Sequence, residues 1–298
     1  MKFAFIARQR SEGPSETLRL MCKWLDVSRS GFYAALRRSP SSRSLSRQKL
    51  KLEIRAVHAS SRRRYGAPRV HAELRARGET CGHNRVARLM REEGLKGKKA
   101  RRFKVTTMSS HGKPVAPNLL NRSFAISNRK MNSAWAGDIT YLPTREGWLY
   151  LAALIDLSSR RVVGWSLGSS LEETLTTRAL EMALATRVIQ HGGEMLHHSD
   201  RGSQYASRDY QSTLRSHGIT TSMSRKGDCW DNAVAESFFA TVKIELAADA
   251  EWESRSQAKR EVIEYLNWYN FDRRHSTLDY LSPAEYEVKM LQERSPAA

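Results

Sequence analysis

The stretch MLHHSDRGSQY occupies residues 195–205, and GDCWDNAVAESFFATVKIE occupies residues 227–245. Two glycines break the chain just before the first stretch, and residues 194–199 are then long enough for one short strand. That strand ends at Asp200, and the end of a strand is where open α/β sheets carry their functional groups. The two stretches therefore predict a strand and a helix that each carry an acid.

The second stretch predicts a helix with Glu236 near its start. Its apolar residues recur at intervals of three and four, as on one face of a helix. Glu236 and Lys243 are nearly two turns apart on the adjacent stripe, so they point the same way beside the core. The apolar stripe consists of Ala235, Phe239, Val242 and Leu246.

A third acid, Asp138, lies in WAGDITYL at residues 135–142, which predicts another strand. Thirty-five residues separate Asp200 from Glu236. Hard cations take oxygen ligands, and two of them about 4 Å apart can hold the attacking and the leaving oxygen at phosphorus. Acids on two strands and one helix therefore predict a phosphoryl-transfer site, with Asp138, Asp200 and Glu236 as candidate catalytic residues and metal ligands.

The formal net charge is +19 over 298 residues, a balance that favours polyanions, of which nucleic acid is the commonest. Residues 43–113 contain 21 Lys or Arg against 5 Glu and no Asp, so most of the excess is concentrated there. No apolar run approaches the ~20 residues of a bilayer span, and the N-terminus has too short an apolar run for a secretory signal. Three widely spaced cysteines argue against a disulfide framework. We therefore expect a cytoplasmic protein with no membrane partner.

Two helical regions precede the acids. Residues 15–38 predict two short helices with Ser28 as the N-cap of the second, either a helix-turn-helix or an ordinary helical hairpin. Residues 40–46 are rich in Ser and Arg and predict a linker. Residues 68–77 and 84–93 predict a second pair of helices with a small apolar core.

The helix predicted at residues 84–93 carries arginines beside its apolar face. The second helix of a helix-turn-helix enters the major groove, so these arginines are candidates for base reading, with phosphate contact alone as the alternative. Residues 94–104, GLKGKKARRFK, predict a mobile basic arm. The candidate DNA-binding residues of the two segments are Arg85, Arg88, Arg91, Lys96, Lys98, Lys99, Arg101 and Arg102.

Residues 109–118 contain Gly and two Pro among polar residues and predict a linker before the catalytic core. In the core, three strands precede alternating helices and strands, which is the order of an α/β protein with a ribonuclease-H-like mixed sheet. Small all-α regions precede that sheet. The predicted division is a helix-turn-helix-like segment at 1–40, a basic helical DNA-binding domain at 41–108, a linker at 109–120, the core at 121–290 and a tail at 291–298.

Other polar residues near the acids have structural interpretations. Asp156 closes an apolar strand, but Asp-Leu-Ser-Ser favours a turn. Asp231 precedes the helix of Glu236 and is interpreted as its N-cap rather than as a ligand. His197 and His198 lie beside a strand end, where histidines are more often structural than catalytic.

Lys243 and Trp230 each have two interpretations. Lys243 either contacts a DNA phosphate or lies on a solvated helix face, and its position beyond Glu236 favours the phosphate contact. Trp230 either stacks on a base beside the site or packs the loop that contains it.

Four blocks of the sequence carry a resemblance to a known family. They are WAGDITYL, HHSDRGSQY, SRKGDCWDNAVAESFF with Lys243 after it, and YNFDRRHSTLDYLSPAEY. Together with CKWLDVSRSGFYA near the N-terminus, they resemble the second-reading-frame (OrfB) proteins of the insertion-sequence-three family of bacterial transposases. The catalytic core of that family is similar to the cores of the retroviral-integrase superfamily. The resemblance covers nearly the whole chain.

The resemblance implies a DNA transposase, a metal-dependent polynucleotidyl transferase of the DDE type. Asp138, Asp200 and Glu236 would hold two Mg²⁺ ions, or Mn²⁺ in their place, for 3′-end cleavage and strand transfer. The implied partners are double-stranded DNA as terminal inverted repeats and as target, further copies of the chain on that DNA, and an upstream-frame protein or fusion. The implied location is the bacterial nucleoid. A ribonuclease-H-like nuclease without strand transfer and a DNA-binding regulator are the alternatives.

Overall fold

The computed structural model describes residues 2–12, 17–98, 113–125, 130–188, 195–225 and 229–294. The chain divides into two compact units, residues 1–55 and 56–298. The finer division expected from the sequence, with boundaries near residues 40, 108 and 120, stays a prediction. Among the described helices, none combines the length and the apolar character that crossing a membrane requires.

The first unit is helical. The two helices expected between residues 15 and 38 are confirmed, and the Oγ of Ser28 caps the second by accepting a hydrogen bond from the N–H of Gly31 at 3.0 Å. A preceding helix, which the sequence did not predict, packs Ile6 into the same small core as Phe32. The helices are α1 (Lys2–Glu12), α2 (Thr17–Trp24) and α3 (Arg29–Arg37).

The linker predicted at residues 40–46 is wrong, because α4 (Ser42–Ser60) begins within it. Its first turn is capped by Ser41, whose Oγ accepts a hydrogen bond from the N–H of Ser44 at 3.2 Å. Serine is a preferred N-cap residue, and Arg suits the exposed face of a helix. A composition rich in Ser and Arg therefore marks the start of a helix here.

The second helical pair is confirmed to within one residue. Helices α5 (Ala67–Ala76) and α6 (His83–Glu92) enclose the small apolar core that the sequence predicts. The buried side chains of the pair are Val70, Leu74, Val86, Leu89 and Met90.

A five-stranded mixed sheet follows, in the order β3-β2-β1-β4-β5. Strand β2 is antiparallel to both β1 and β3, whereas β4 is parallel to β1 and β5 is parallel to β4. This is the ribonuclease-H-like α/β fold that the sequence predicts, preceded by helices. The strands are β1 (Ala134–Thr144), β2 (Gly147–Asp156), β3 (Val162–Gly168), β4 (Leu196–Ser199) and β5 (Thr220–Met223).

Helices cover both faces of this sheet. Alternate residues of β2 enter two separate cores, so that Leu151 packs with the helices on one face and Leu154 with those on the other. This burial on both faces explains why β2 is apolar almost throughout. The face with Leu151 is covered by α9 (Ala233–Val242) and α10 (Arg255–Phe271), and α9 continues as a π-helical turn (Lys243–Ala247). The face with Leu154 is covered by α7 (Glu173–Thr186) and α8 (Arg208–Ser216). A 3₁₀ turn (Cys229–Asn232) precedes α9, another (Ser276–Leu278) follows α10, and α11 (Pro283–Arg294), which the sequence did not predict, ends the described chain.

Candidate active site

The parallel pairing of β1 with β4 brings two of the three acids together. Gly137 of β1 is in register with Ser199 of β4. Asp138 and Asp200 each follow this pair directly, so the same register places them on adjacent strands, which lie about 5 Å apart.

Asp138 lies in a field of like charge. Burial and then the carboxylate of Asp200 raise its pKa well above the ordinary value, and Glu236 adds to the effect. The N–H of Ile139, which donates to Oδ1 at 2.7 Å, and the charge of Lys243 oppose this rise. The three predicted site acids and Lys243 therefore share one electrostatic environment.

Glu236 approaches from the helical layer, because it lies in the first turn of α9. Glu236 is an exposed residue, but partial desolvation of its carboxylate and then the charge of Asp200 raise its pKa. The carboxylate of Asp200 is held at the end of β4, where Oδ1 accepts a hydrogen bond from the N–H of Gly202 at 2.9 Å. A strand end and a helix start thus face each other across the site.

These acids fit a hard divalent cation in their chemistry. They supply only carboxylate oxygens, which are the donors that Mg²⁺ prefers. A cation would also relieve the repulsion that raises the pKa of Asp138. Within the described residues, however, no three His, Cys, Asp or Glu side chains close around one point as metal ligands do. The acids are neighbours without forming a closed cage.

Lys243 lies at the end of the same helix. It begins the π-helical turn after α9, and its Nζ lies 4.8 Å from the centroid of the Tyr141 ring on β1. A cation at this distance from an aromatic face is attracted to the ring. The ring therefore holds the ammonium over β1, three residues past Asp138.

Two residues at this site were missed from the sequence. The buried Asn232 donates from Nδ2 to the carbonyl of Gly137 at 3.2 Å and so ties the start of α9 to β1 beside Asp138. Tyr205 is buried, and burial, Tyr210 and the two nearby Asp carboxylates raise its pKa well above 10. The only sequence signal for these two residues was their position: Asn232 lies four residues before Glu236, and Tyr205 lies five residues after Asp200.

The interpretation of Asp156 as a turn residue is confirmed. Its buried carboxylate accepts hydrogen bonds from the N–H groups of Asn132, Ser158 and Ser159 and from the hydroxyl of Ser158. Three of these bonds hold the turn between β2 and β3 and the fourth ties that turn to the start of β1, which gives Asp156 a structural role.

The interpretation of Asp231 as an N-cap is wrong. Asn232 is the N-cap of α9, and it makes no side-chain capping bond. Asp231 is instead buried between two arginines, accepting hydrogen bonds from Arg225 Nη2 at 2.9 Å and from Arg122 Nε at 2.9 Å. Asn118 donates to it as well, at 2.8 Å. The two arginines, with Arg225 first and Arg122 after it, hold the pKa of Asp231 well below the ordinary value against the opposing effect of burial.

The structural interpretation of the two histidines is confirmed. The hydroxyl of Tyr210 lies 2.8 Å from His197 Nε2, while Nδ1 of His198 lies 2.8 Å from Ser222 Oγ. Burial lowers the pKa of His197 to about 3 and that of His198 to about 4. Both rings are therefore neutral parts of the packing around β4 at pH 7.

The candidate DNA-binding residues fall into two groups. On α6, Arg88 and Arg91 are exposed and Arg85 is half-buried. Lys96 is exposed, whereas Lys98 Nζ lies 3.2 Å from Asp249 Oδ2 and 3.2 Å from the carbonyl of Glu245. Lys98 therefore contacts the segment that begins with the π-helical turn after α9. Lys99, Arg101 and Arg102, most of the basic arm and the side chain of Trp230 lie outside the described residues.

Comparison with curated proteins supports this architecture. The chain is 42% identical over 294 residues to the transposase InsF for insertion sequence IS3A of Escherichia coli (strain K12), covering 98% of this chain and 100% of that protein. It is 43% identical over 270 residues to an IS600 insertion element 31 kDa protein of Shigella sonnei, covering 90% and 98% of the two chains. The chain belongs to the IS3 family of transposases.

Models of two kinds of protein domain also match segments of this chain. An HTH-like domain matches residues 45–103, and integrase core domains match residues 128–229 and 217–283. Among solved structures, the HTLV-2 integrase catalytic core in complex with magnesium (trimeric form) is 15% identical with a TM-score of 0.39, over 52% of this chain and 95% of that chain. The BIV integrase core is 15% identical with a TM-score of 0.41, over 55% and 99%. The similarity to InsF makes this IS3-family chain a transposase, and its integrase core matches imply polynucleotidyl transfer.

Proposed function

We propose that this transposase cuts the 3′ ends of its own DNA element and joins them to target DNA, with Asp138, Asp200 and Glu236 as catalytic residues. The observation that supports this most directly is the shared field of the three acids, in which Asp200 and Glu236 both raise the pKa of Asp138. Such a concentration of negative charge requires a cationic counterpart at neutral pH.

The three acids would hold two Mg²⁺ or Mn²⁺ ions. When bound, such ions activate water and stabilise the charge that develops on the phosphate. The side chains position those ions and the scissile phosphate, and Lys243 neutralises a neighbouring backbone charge. Water and then the freed 3′-hydroxyl attack phosphorus in line, so one site serves both steps and no covalent protein–DNA intermediate forms.

End binding is assigned to the basic helical region. In this proposal α6 enters the major groove of a terminal inverted repeat, and Arg85, Arg88 and Arg91 contact bases or phosphates there. Lys96 and the basic residues that follow it contact the backbone. Cleavage and joining of two ends and a target require further copies of the chain on the DNA, and an upstream-frame protein, separate or fused, is a further partner.

A strand-transfer assay tests this function. Purified protein, Mg²⁺ and a labelled duplex of the element end should yield a cut 3′ end and a joined product with a supercoiled target. Cleavage without joining would support the nuclease alternative. Binding of the end without metal-dependent cleavage would support the regulator alternative.

A further inference from the structure

A cavity of about 250 Å³ lies beside α9, and Asp138, Asp200 and Glu236 are not among the residues that line it. Its lining combines guanidinium groups, hydroxyl groups and aromatic rings with a few aliphatic side chains, and none of the described residues that line it is acidic. Helix α9 forms one wall through Ala233, Val234, Ser237, Phe238 and Thr241.

Three arginines from separate parts of the fold reach this cavity. Arg69 comes from α5, Arg160 from the turn between β2 and β3, and Arg273 from the segment after α10. Arg273 forms a bidentate pair with Glu245, whose Oε1 also lies 3.4 Å from Arg69 Nη1. Two of the guanidinium groups thus share one carboxylate, which leaves positive charge in excess.

The environment of His275 shows this excess of positive charge. Its ring packs edge-on against Tyr269, with 4.6 Å between the ring centroids. Burial and then the charges of Arg273, Arg69 and Arg160 hold its pKa well below the ordinary value. Three guanidinium groups therefore act on one buried point of the cavity, and a ligand that complements them is anionic.

The hydroxyl groups in the lining indicate which kind of anion fits the cavity. Ser237, Thr241, Ser276 and Thr277 surround the arginines with neutral donors. Guanidinium and hydroxyl groups together match the oxygens of a phosphate group. The volume lies just below the ~300 Å³ of small-molecule pockets, which suits a phosphate with part of its sugar.

We propose that this cavity binds a backbone phosphate of the DNA strand that occupies the active site, an inference that rests on the proposed function. Helix α9 carries Glu236 toward the acids and the next residue, Ser237, into the cavity. The helix is about 10 Å across, and a DNA strand rises about 3.4 Å per nucleotide. The bound phosphate would therefore lie on the order of three nucleotides from the scissile one.

This phosphate would connect end recognition with catalysis. Arg69 lies in the HTH-like match at residues 45–103, while Arg160 and Arg273 lie in the integrase core matches. A single strand seated in the cavity would thus contact both domains at once. Correct engagement of the strand beside Glu236 would then depend on the orientation of the HTH-like domain.

The test uses Thr277→Glu, with Thr277→Gln as the matched control. Thr277 is exposed, so both variants retain the fold, and they differ only in charge. Binding of element-end DNA is measured without divalent cations, so that a failure of the catalytic proposal does not affect the result. We expect Thr277→Glu to weaken binding about tenfold, the effect of losing one charge-assisted contact, whereas Thr277→Gln, which is neutral and still has a donor, should weaken binding much less.

A scan of neutral methylphosphonate linkages then locates the contact. One linkage near the cleavage position should weaken wild-type binding about tenfold but have no further effect on Thr277→Glu. Inorganic phosphate should compete only at far higher concentration than DNA. If Thr277→Glu binds as the wild type does, or no linkage is coupled to position 277, the cavity is not a DNA site. Competition by free phosphate at or below the concentration at which DNA competes would likewise overturn the proposal.

Discussion

Glu245 and Arg273 form a bidentate ion pair inside the protein. Oε1 of Glu245 accepts from Nη2 of Arg273 at 2.7 Å and Oε2 accepts from Nε at 2.8 Å, with the two side chains only 5% and 4% exposed. The hydroxyl of Tyr265 donates a third bond to the carboxylate, at 3.0 Å. Because Glu245 lies in the π-helical turn after α9, this pair anchors the C-terminal end of the helix that carries Glu236.

Glu245→Gln should destabilise the protein by about 3–5 kcal/mol, because it leaves the Arg273 charge buried without a counterion. The control is Glu264→Gln, which removes the exposed partner of Arg62 and should cost less than about 1 kcal/mol. Denaturant unfolding measures both, and equal effects would contradict the structural role of the pair.

The same pair predicts a pH dependence. Burial alone raises the pKa of Glu245, but the hydrogen bonds and charges of Arg273 and Arg69 outweigh it, and the net pKa is below the ordinary value. The unfolded chain therefore binds this proton first as the pH falls. Wild-type stability should decline from the ordinary carboxyl range downward through the lower folded-state pKa. In Glu245→Gln that part of the decline should be absent, as unfolding at a series of pH values would show.

Asp138→Asn, Asp200→Asn and Glu236→Gln should each abolish cleavage and joining while end binding is largely retained. Each variant removes one anionic oxygen donor from the proposed metal site without changing the size of the side chain. Glu181→Gln, an exposed position on α7, is the control and should turn over normally. Cleavage and joining of a labelled end duplex provide the readout, and normal turnover by any of the three variants would remove that residue from the site.

Asp138→Asn should also stabilise the protein when divalent cations are absent. Because the pKa of Asp138 is raised, the folded state keeps this proton to a higher pH than the unfolded chain does. Stability therefore falls as the pH rises from the unfolded-state pKa to the folded-state pKa. The neutral amide of Asp138→Asn removes that loss of stability, so the thermal unfolding midpoint of the variant at pH 7 should exceed that of the wild type. Added Mg²⁺ should raise the wild-type midpoint but not that of the variant. A midpoint below that of the wild type, or an equal response to Mg²⁺, would contradict this account.

Lys243→Ala should slow cleavage and leave metal binding unchanged. The lost contact is partly screened by water, so the activation free energy of cleavage should rise by on the order of 1–3 kcal/mol. Lys243→Arg should retain part of the rate because it keeps the charge. Cleavage rates and crosslinking from position 243 to end DNA measure this. A wild-type rate for Lys243→Ala with no crosslink near the scissile phosphate would assign the residue to the solvated face.

Gly164→Ala should destabilise the protein by about 3 kcal/mol or more. A Cβ at this position of β3 would lie 2.1 Å from the carbonyl oxygen of Ala179 and 2.9 Å from the N of Ala183, both in the backbone of α7. Backbone in a packed helix cannot yield as a side chain can. Gly82→Ala meets no atom within 4 Å and should cost less than about 1 kcal/mol. Thermal unfolding compares the two.

The sequence alone predicted several of the local elements and singled out the three acids as candidates. Helical apolar patterns act over a few residues, so α5 and α6 were located to within one residue. Asp138 and Asp200 could be placed at strand positions and Glu236 on a helix for the same reason. The resemblance carried by the four sequence blocks added the family, which the comparisons confirm.

Only the tertiary structure decided which distant groups meet. The register of Gly137 with Ser199 places two acids side by side, although 61 residues lie between them. Asp231 was assigned to a helix end because its neighbours in sequence suggested it, but its partners are Arg122 and Arg225. A buried carboxylate takes whichever cations the packed chain brings within hydrogen-bond distance. Local patterns do not encode that choice, because it depends on how the sheet and helices pack across long separations in sequence.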